Sequence, residues 1–263
     1  MASFKQLGEL TMNNFNKMVL TALISSTLIS NVYAADDTQS KDLDASDMTR
    51  AYSNFYVGAS NKGDVKASGS VSYQYENGME SMVSLEATLN KDGEYSDSRM
   101  QYFHVFNIDS AVTPRIAVSL DIIDNETATT AALGAIAIFR TPIESLSIFA
   151  RVGVLTGEYS DTATNNFNVT DNSIVGGMGA AYAVWKTGDD GTFLALYPEF
   201  TYLSGDIETS TVKTTLMAAT PLSADKTRWG QIKIENTYGN MESASTSFDI
   251  DETRVWFNYK VYL

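Results

Sequence analysis

Arg115-Ile116-Ala117-Val118-Ser119-Leu120-Asp121-Ile122 alternates between two kinds of side chain. The even-numbered positions carry Ile, Val, Leu and Ile, and the odd-numbered positions carry Arg, Ala, Ser and Asp. Because successive side chains of a β-strand point to opposite faces, this stretch has one apolar face and one mixed, partly charged face. The same alternation runs through residues 83–89 and 147–154. The pattern predicts amphipathic β-strands.

The chain from residue 52 to residue 263 divides into about twelve such stretches, separated by clusters of turn-forming residues. Each is close to the roughly ten residues that a tilted strand needs to cross a bilayer. Every stretch offers an apolar face without a charge at mid-strand, where a charge facing lipid costs roughly 2–4 kcal/mol. We therefore predict an all-β fold, a single closed antiparallel transmembrane β-barrel of about 12 strands over 52–263. The predicted strands are 52–60, 66–75, 80–90, 98–108, 114–123, 129–140, 145–156, 173–186, 192–204, 210–220, 228–239 and 252–263.

The first residues carry the features of a secretory signal. Lys17 precedes an apolar run over 18–29, and Val32-Tyr33-Ala34 forms a small-x-small cleavage site. This predicts a signal peptide over 1–34 and a short acidic periplasmic tail over 35–51. Alternation by itself also fits a soluble sandwich or a lipocalin-like barrel, whose apolar face points inward. The signal, the aromatic strand ends and the final strand favour a membrane barrel and predict that it lies in the cell outer membrane.

The final strand, Val255-Trp256-Phe257-Asn258-Tyr259-Lys260-Val261-Tyr262-Leu263, alternates up to the carboxyl terminus. It resembles the C-terminal signature of Gram-negative outer-membrane β-barrel proteins, which the barrel-assembly machinery recognises. The last residue of that signature is usually Phe or Trp, so Leu263 departs from it. The resemblance identifies a class and no single family. It implies outer-membrane lipid and lipopolysaccharide as surroundings, and the barrel-assembly machinery as a partner during biogenesis.

Composition argues against several functions. The chain has no Cys and one His, and its formal net charge is −14. Disulfides and Cys-based chemistry are therefore excluded, and nucleic acid is a poor partner for so acidic a protein. The single histidine, His104, shares its predicted lipid face with Met100, Tyr102 and Phe106, and no Ser is placed next to it in a catalytic motif. We predict no enzymatic activity, no metal site and no cofactor.

The connections between the predicted strands alternate in character. Three are short and rich in turn residues: 76–78, 141–144 and 187–191. Four are predicted to be longer or more acidic: 90–97, 156–172, 204–209 and 239–251. Because outer-membrane barrels have short periplasmic turns and longer external loops, the second set is predicted to lie outside the cell.

The polar face of the strands carries the side chains that would line a lumen. By alternation, Lys66 and eleven further charged residues fall on it, eight basic and four acidic in all. Two interpretations stand: a salt-bridge network that fills a narrow barrel, or a water-filled lumen whose net positive lining favours anions. Twelve strands lie between filled eight-stranded barrels and open sixteen-stranded ones, so strand number does not decide. The predicted lumen-lining residues, proposed to set pore selectivity, are Arg99, Arg115, Arg151, Lys213, Lys233, Arg254, Lys260, Glu86, Asp121, Glu199 and Glu235.

These features predict a porin-like channel for passive diffusion of small hydrophilic, anionic solutes. The nearest analogy is the family of twelve-stranded porins specific for oligogalacturonate and sialic acid, and it is architectural only. A first alternative is a structural or surface-binding barrel whose lumen is plugged. A second is an autotransporter-type translocator barrel, which is weakened because residues 35–51 are too few and too polar to supply both a passenger and a pore-spanning helix.

Overall fold

In the computed structural model, residues 43–263 are described, and they form a closed barrel of twelve antiparallel strands. The predicted signal peptide (1–34) and the first part of the predicted tail (35–42) lie outside the described residues. The predicted fold class is confirmed, and each predicted strand overlaps one observed strand. The strands are β1 (Asn54–Ser60), β2 (Val65–Gln74), β3 (Glu80–Leu89), β4 (Tyr95–Asn107), β5 (Arg115–Asn125), β6 (Ala128–Arg140), β7 (Leu146–Tyr159), β8 (Ser173–Lys186), β9 (Phe193–Ser204), β10 (Glu208–Pro221), β11 (Arg228–Glu242) and β12 (Ser247–Tyr262).

Each strand pairs with its neighbours along the chain, and β1 pairs with β12 to close the barrel. The closing pair runs from Asn54 opposite Tyr262 to Ser60 opposite Trp256. A closed barrel has no sheet edge, so the backbone N–H and C=O groups of the strands bond to one another. Hydrocarbon offers these groups no partner, which is why closure suits a chain that crosses a membrane.

Large apolar side chains cover the outside of the barrel. On β5, Leu120 and Ile122 are 50% and 45% exposed, whereas Asp121 between them is fully buried. On β7, Val152 is 65% exposed. A soluble barrel would place its apolar face in the core. The observed arrangement is the opposite one, and it matches a barrel whose outer surface is solvated by lipid.

The connections differ from the sequence-based expectation at one end of the barrel. The loop expected over 239–251 is reduced to 243–246, because β11 continues to Glu242 and β12 begins at Ser247. The acidic residues expected in that loop lie on these strand extensions. The long connection is 160–172, which contains the helix α1 (Asp161–Phe167). No helix among residues 43–263 is long and apolar enough to cross a membrane.

Pro198 lies in β9 without a bulge, although the sequence suggested a bulge or a misplaced register at this point. It pairs with Thr214 of β10 in an unbroken ladder. Toward β8, the register on either side of Pro198 is the same, from Ala180 opposite Glu199 to Ala183 opposite Leu196. The missing proline N–H therefore interrupts pairing on one side and leaves the alternation of β9 intact.

Candidate functional site in the barrel interior

The barrel encloses a cavity of about 460 Å³. Seven of the eleven predicted lumen residues line it, and Lys66 joins them. Tyrosine side chains from β1, β7, β8 and β9 complete much of the polar wall. The charged residues of the cavity are Lys66, Arg99, Arg151, Lys213, Lys233, Glu86, Glu199 and Glu235.

Asp121 is fully buried behind one side of the cavity wall, where it binds two arginines that line the cavity. Its Oδ1 accepts hydrogen bonds from Arg99 Nε at 2.7 Å and from Gln101 Nε2 at 2.8 Å. Its Oδ2 accepts a hydrogen bond from Ser119 Oγ at 2.9 Å and lies 3.4 Å from Arg151 Nη2. A fully buried carboxylate requires such partners, because an unpaired charge in a protein interior is costly. The network holds both guanidinium groups at the cavity wall.

Two more ion-pair groups lie on the cavity wall, one on β2 and β3 and the other on β10 and β11. Glu86 accepts hydrogen bonds from the Tyr56 hydroxyl and from Lys66 Nζ, the latter at 2.9 Å. Glu235 Oε1 lies 3.2 Å from Lys233 Nζ and 3.6 Å from Lys213 Nζ. These pairs join side chains of neighbouring strands or of one strand face, where the barrel register brings them close.

The remaining predicted lumen residues lie away from the cavity. Arg115 forms an ion pair with Asp47, a residue that precedes the first strand. Arg254 pairs with Asp64 at 3.2 Å and with Glu252.

Lys260 Nζ lies 4.7 Å from the ring centroid of Tyr262, a cation–π distance. Asp47, Asp64 and Glu252, which are not among the predicted lumen residues, offset part of the positive charge expected from alternation. The cavity itself has five cationic side chains against three carboxylates, with Asp121 as a fourth carboxylate behind the wall.

One end of the interior is lined by a belt of apolar side chains, which the sequence analysis missed. The belt lies at the end of the barrel where both chain ends of the described part meet. A sequence signal for it exists: near this end, apolar residues occupy both strand faces, as in Phe103-His104-Val105-Phe106 and Ile136-Ala137-Ile138-Phe139. The inner apolar belt consists of Phe103, Val105, Ala117, Ile136, Ile138, Phe149, Tyr182, Val184, Phe193, Ala195, Met217, Ala219, Trp229 and Tyr262.

The segment before β1 packs against this belt. Leu43, Ala45, Met48, Ala51 and Tyr52 belong to the same cluster. We call residues 43–52 the N-terminal segment. The part of the predicted acidic tail that the structure describes, 43–51, is thus held against the inner wall.

Ion pairs fix the N-terminal segment to three strands. Asp44 Oδ2 lies 2.7 Å from Lys186 Nζ, and Arg50 Nε lies 3.0 Å from Glu80 Oε1. Burial opposes ionisation of Asp44, but hydrogen bonds from Lys186 and from Ser46 outweigh it and lower the pKa of this carboxyl. Together with the pair between Asp47 and Arg115, these contacts hold the segment against the inner wall, with Asp47 buried and Asp44 about two-fifths exposed.

A second apolar cluster narrows the other end of the cavity. Phe167 of α1 packs with Tyr159, Ile174 and Ile207, all of them buried. Ser160 caps the helix by accepting a hydrogen bond from Ala163 N. Because Tyr159 also lines the cavity, the helix borders the cavity from this end.

His104 has a serine neighbour that the sequence did not reveal. Ser81 Oγ lies 2.7 Å from His104 Nδ1, across the pair of strands β3 and β4. Tyr102 and Phe106 lie beside the ring on the outer surface. In residues 43–263, no carboxylate forms an ion pair with the ring, so a third member of a catalytic triad is not found there. The surrounding rings fit an aromatic belt at the membrane interface.

Comparisons with solved structures agree with this architecture. The chain superposes on the KdgM porin with a TM-score of 0.54 at 9% identity, covering 80% of this chain and 99% of that one. It superposes on the NanC porin with a TM-score of 0.52 at 10% identity, covering 80% and 100%. An outer-membrane channel from Pseudomonas putida F1 gives a TM-score of 0.54 at 11% identity, covering 84% and 99%.

The chain is an outer-membrane β-barrel. This conclusion rests on barrel closure, on the apolar outer surface and on the superposition with solved porins. No family model matches the sequence, and no curated protein matches it. At such low sequence identities, what this outer-membrane barrel shares with the porins is the fold.

Proposed function

We propose that this outer-membrane barrel is a porin-like channel for passive diffusion of small hydrophilic solutes, with a modest preference for anions. The observation that carries the proposal is the polar cavity, where five cationic side chains and several phenol groups surround a space large enough for a small solute. Fixed charges in a narrow space with low-dielectric walls act strongly on a permeating ion.

The preference for anions follows from the lysines more than from the arginines. Arg99 and Arg151 face two carboxylates, the buried Asp121 that they share and Glu199, which lies 3.8 Å from Arg151, so their charges are balanced. Lys213 and Lys233 share the single carboxylate of Glu235. This leaves one net positive charge on that side of the cavity. A solute with a carboxylate or phosphate group would accept hydrogen bonds from these ammonium groups.

A structurally similar porin indicates which solute to test first. The KdgM porin has been solved in complex with disordered oligogalacturonate. Oligogalacturonate is an oligomer of an acidic sugar, so it combines hydroxyl groups with negative charge. A short anionic sugar is therefore the first solute that we would offer to this barrel.

Ion selectivity in a planar bilayer tests the proposal. We expect an anion-selective reversal potential under a salt gradient for the native protein, and a weaker one for Lys213→Gln. Lys213 is suited to this test because Glu235 keeps Lys233 as a partner when Lys213 is replaced. Lys62→Gln is the matched control, since Lys62 lies at the exposed rim and its loss changes the net charge equally. Cation selectivity of the native protein would contradict the preference for anions.

A plugged structural or surface-binding barrel is the second candidate function, and the inner apolar belt favours it. A barrel whose interior is filled at one end does not require transport to explain its stability. Folded protein that fails to conduct both with and without residues 43–50 would support this candidate over the channel.

A further inference from the structure

We infer that the N-terminal segment, residues 43–52, is a displaceable plug that obstructs the apolar end of the barrel and restricts passage through it. The inference rests on the proposed channel function and adds its regulation. The segment lies against the inner apolar belt, with Ser46, Thr49 and Ala51 buried. A solute leaving the cavity through this end of the barrel meets the segment.

Every hydrogen bond from residues 43–51 to the wall involves a side chain on at least one partner. The backbone–backbone hydrogen bonds of these residues are local ones, from Asp47 N to Asp44 O and from Arg50 N to Asp47 O. The Ala51 N–H donates to the Glu80 carboxylate, 2.7 Å away. The strands, in contrast, are joined by continuous ladders. Displacing the segment therefore breaks no strand pairing, and the barrel keeps its closure.

Two aspartates combine a local task with attachment to the wall. Asp44 Oδ1 accepts hydrogen bonds from Ser46 N and Ser46 Oγ, and Asp47 Oδ1 accepts from Thr49 N and Thr49 Oγ1. These bonds form two successive Asx turns, which shape the segment without a helix or strand. The second oxygen of each carboxylate is directed at a barrel cation.

The cations that hold the two aspartates lie on different strands. Asp44 Oδ2 pairs with Lys186 of β8, and Asp47 Oδ2 pairs with Arg115 of β5. The sequence Asp44-Ala45-Ser46-Asp47-Met48-Thr49 thus contains the unit Asp-x-Ser/Thr twice. In each unit, one carboxylate oxygen forms the local turn and the other pairs with a cation of the wall. Substitution of each Asp by Asn removes the ion pair with the wall and keeps the turn, because the Asn side-chain oxygen still accepts the local hydrogen bonds.

The test uses release of the segment and conductance as two separate readouts. Met48→Cys provides a unique thiol, because the chain contains no Cys. In the folded native background, a water-soluble maleimide should label it slowly, since Met48 packs against the apolar belt. In Asp44→Asn with Asp47→Asn, we expect labelling to be about tenfold faster, from loss of two charge-assisted contacts. Conductance should rise with it.

Asp190→Asn with Asp225→Asn is the matched control. Both residues form Asx turns with a threonine two positions later, Thr192 and Thr227, at the same end of the barrel. The double substitution changes the net charge by the same amount and leaves the segment in place. We expect labelling and conductance equal to those of the native protein. Deletion of residues 43–50 provides a second way to open the barrel, which removes the apolar contacts of the segment as well as its charges.

The two readouts separate failure of the plug from failure of the channel. Unchanged labelling in the Asp44 and Asp47 variant would overturn the inference about attachment. Faster labelling with unchanged, measurable conductance would show that the segment does not control passage, and it would leave the channel proposal standing. Faster labelling with no conductance, in this variant and in the deletion, would contradict the channel itself.

Discussion

The two halves of the barrel interior are built on the same strands and the same strand faces, yet they are different environments. On β7, Phe149 and Leu155 both point inward. Phe149 is fully buried in the inner apolar belt, whereas Leu155 lines the polar cavity. Alternation therefore specifies whether a side chain points inward or outward, and position along the strand specifies whether its inner surroundings are apolar or polar.

Electrostatics follows the same division. In the cavity half, charged side chains pair with near neighbours on the barrel wall and keep access to water. In the belt half, Asp44, Asp47 and Arg50 of the N-terminal segment pair with wall residues. The carboxylates of Asp47 and Glu80 are buried and need such partners, whereas Asp44 and Lys186 are each about two-fifths exposed.

The largest expected effect comes from placing one charge in each half. Phe149→Lys should destabilise the folded barrel by at least about 4 kcal/mol, because it removes a buried ring and adds an unpaired ammonium group. Leu155→Lys, six residues further along the same face, should cost about 1 kcal/mol because the cavity solvates the charge. Urea unfolding in lipid vesicles measures both. Equal losses would mean that the two halves do not differ.

A smaller effect is expected from the carboxylate that supports the cavity wall. Asp121→Asn should cost about 2 kcal/mol, since Arg99 and Arg151 lose a shared, buried acceptor. The same variant should shift the reversal potential toward anions. Glu199→Gln is the control, because its contact with Arg151 is a longer 3.8 Å. An unchanged free energy of unfolding in Asp121→Asn would mean that the hydrogen bonds to Asp121 do not hold the two guanidinium groups in place.

Acid should weaken the attachment of the N-terminal segment in the belt half. The pKa of Asp44 is lowered below its ordinary value of 3.8, so its ion pair contributes to stability above that value and is lost as the pH falls through the lowered pKa. We expect the rate of maleimide labelling of Met48→Cys, corrected for thiol ionisation, to be constant from pH 7 to pH 4. Below pH 3.8, the ordinary pKa of Asp, the rate should rise several-fold. The rise should disappear in an Asp44→Asn background; its persistence would assign the effect to another group.

The smallest effect is expected at the rim, outside both halves. Lys62 Nζ lies 2.8 Å from Glu252 Oε1, and both side chains are about two-fifths exposed. Glu252→Gln should change the free energy of unfolding by less than about 1 kcal/mol, because solvent screens such pairs. Urea unfolding at low and high salt measures it. A loss comparable with that of Asp121→Asn would place this pair in a buried environment.

The sequence by itself determined the strand pattern and the outer surface of this protein. Alternation such as that over 115–122 is a local property, because side-chain direction repeats every two residues whatever the partner strand is. The same rule put Arg99, Arg151 and Glu235 on the inner face, and these residues line the cavity. Their role in selectivity stays a proposal.

The tertiary structure alone decided what the inner face contacts. Asp47 meets Arg115 across 68 positions of sequence, and Ser81 meets His104 through the register of β3 and β4. Such contacts depend on strand order, register and the course of the segment before β1, none of which is a property of local alternation. For this reason alternation revealed neither the carboxylates of Asp47, Asp64 and Glu252, which offset part of the positive surplus, nor the packing of residues 43–52 against the inner apolar belt.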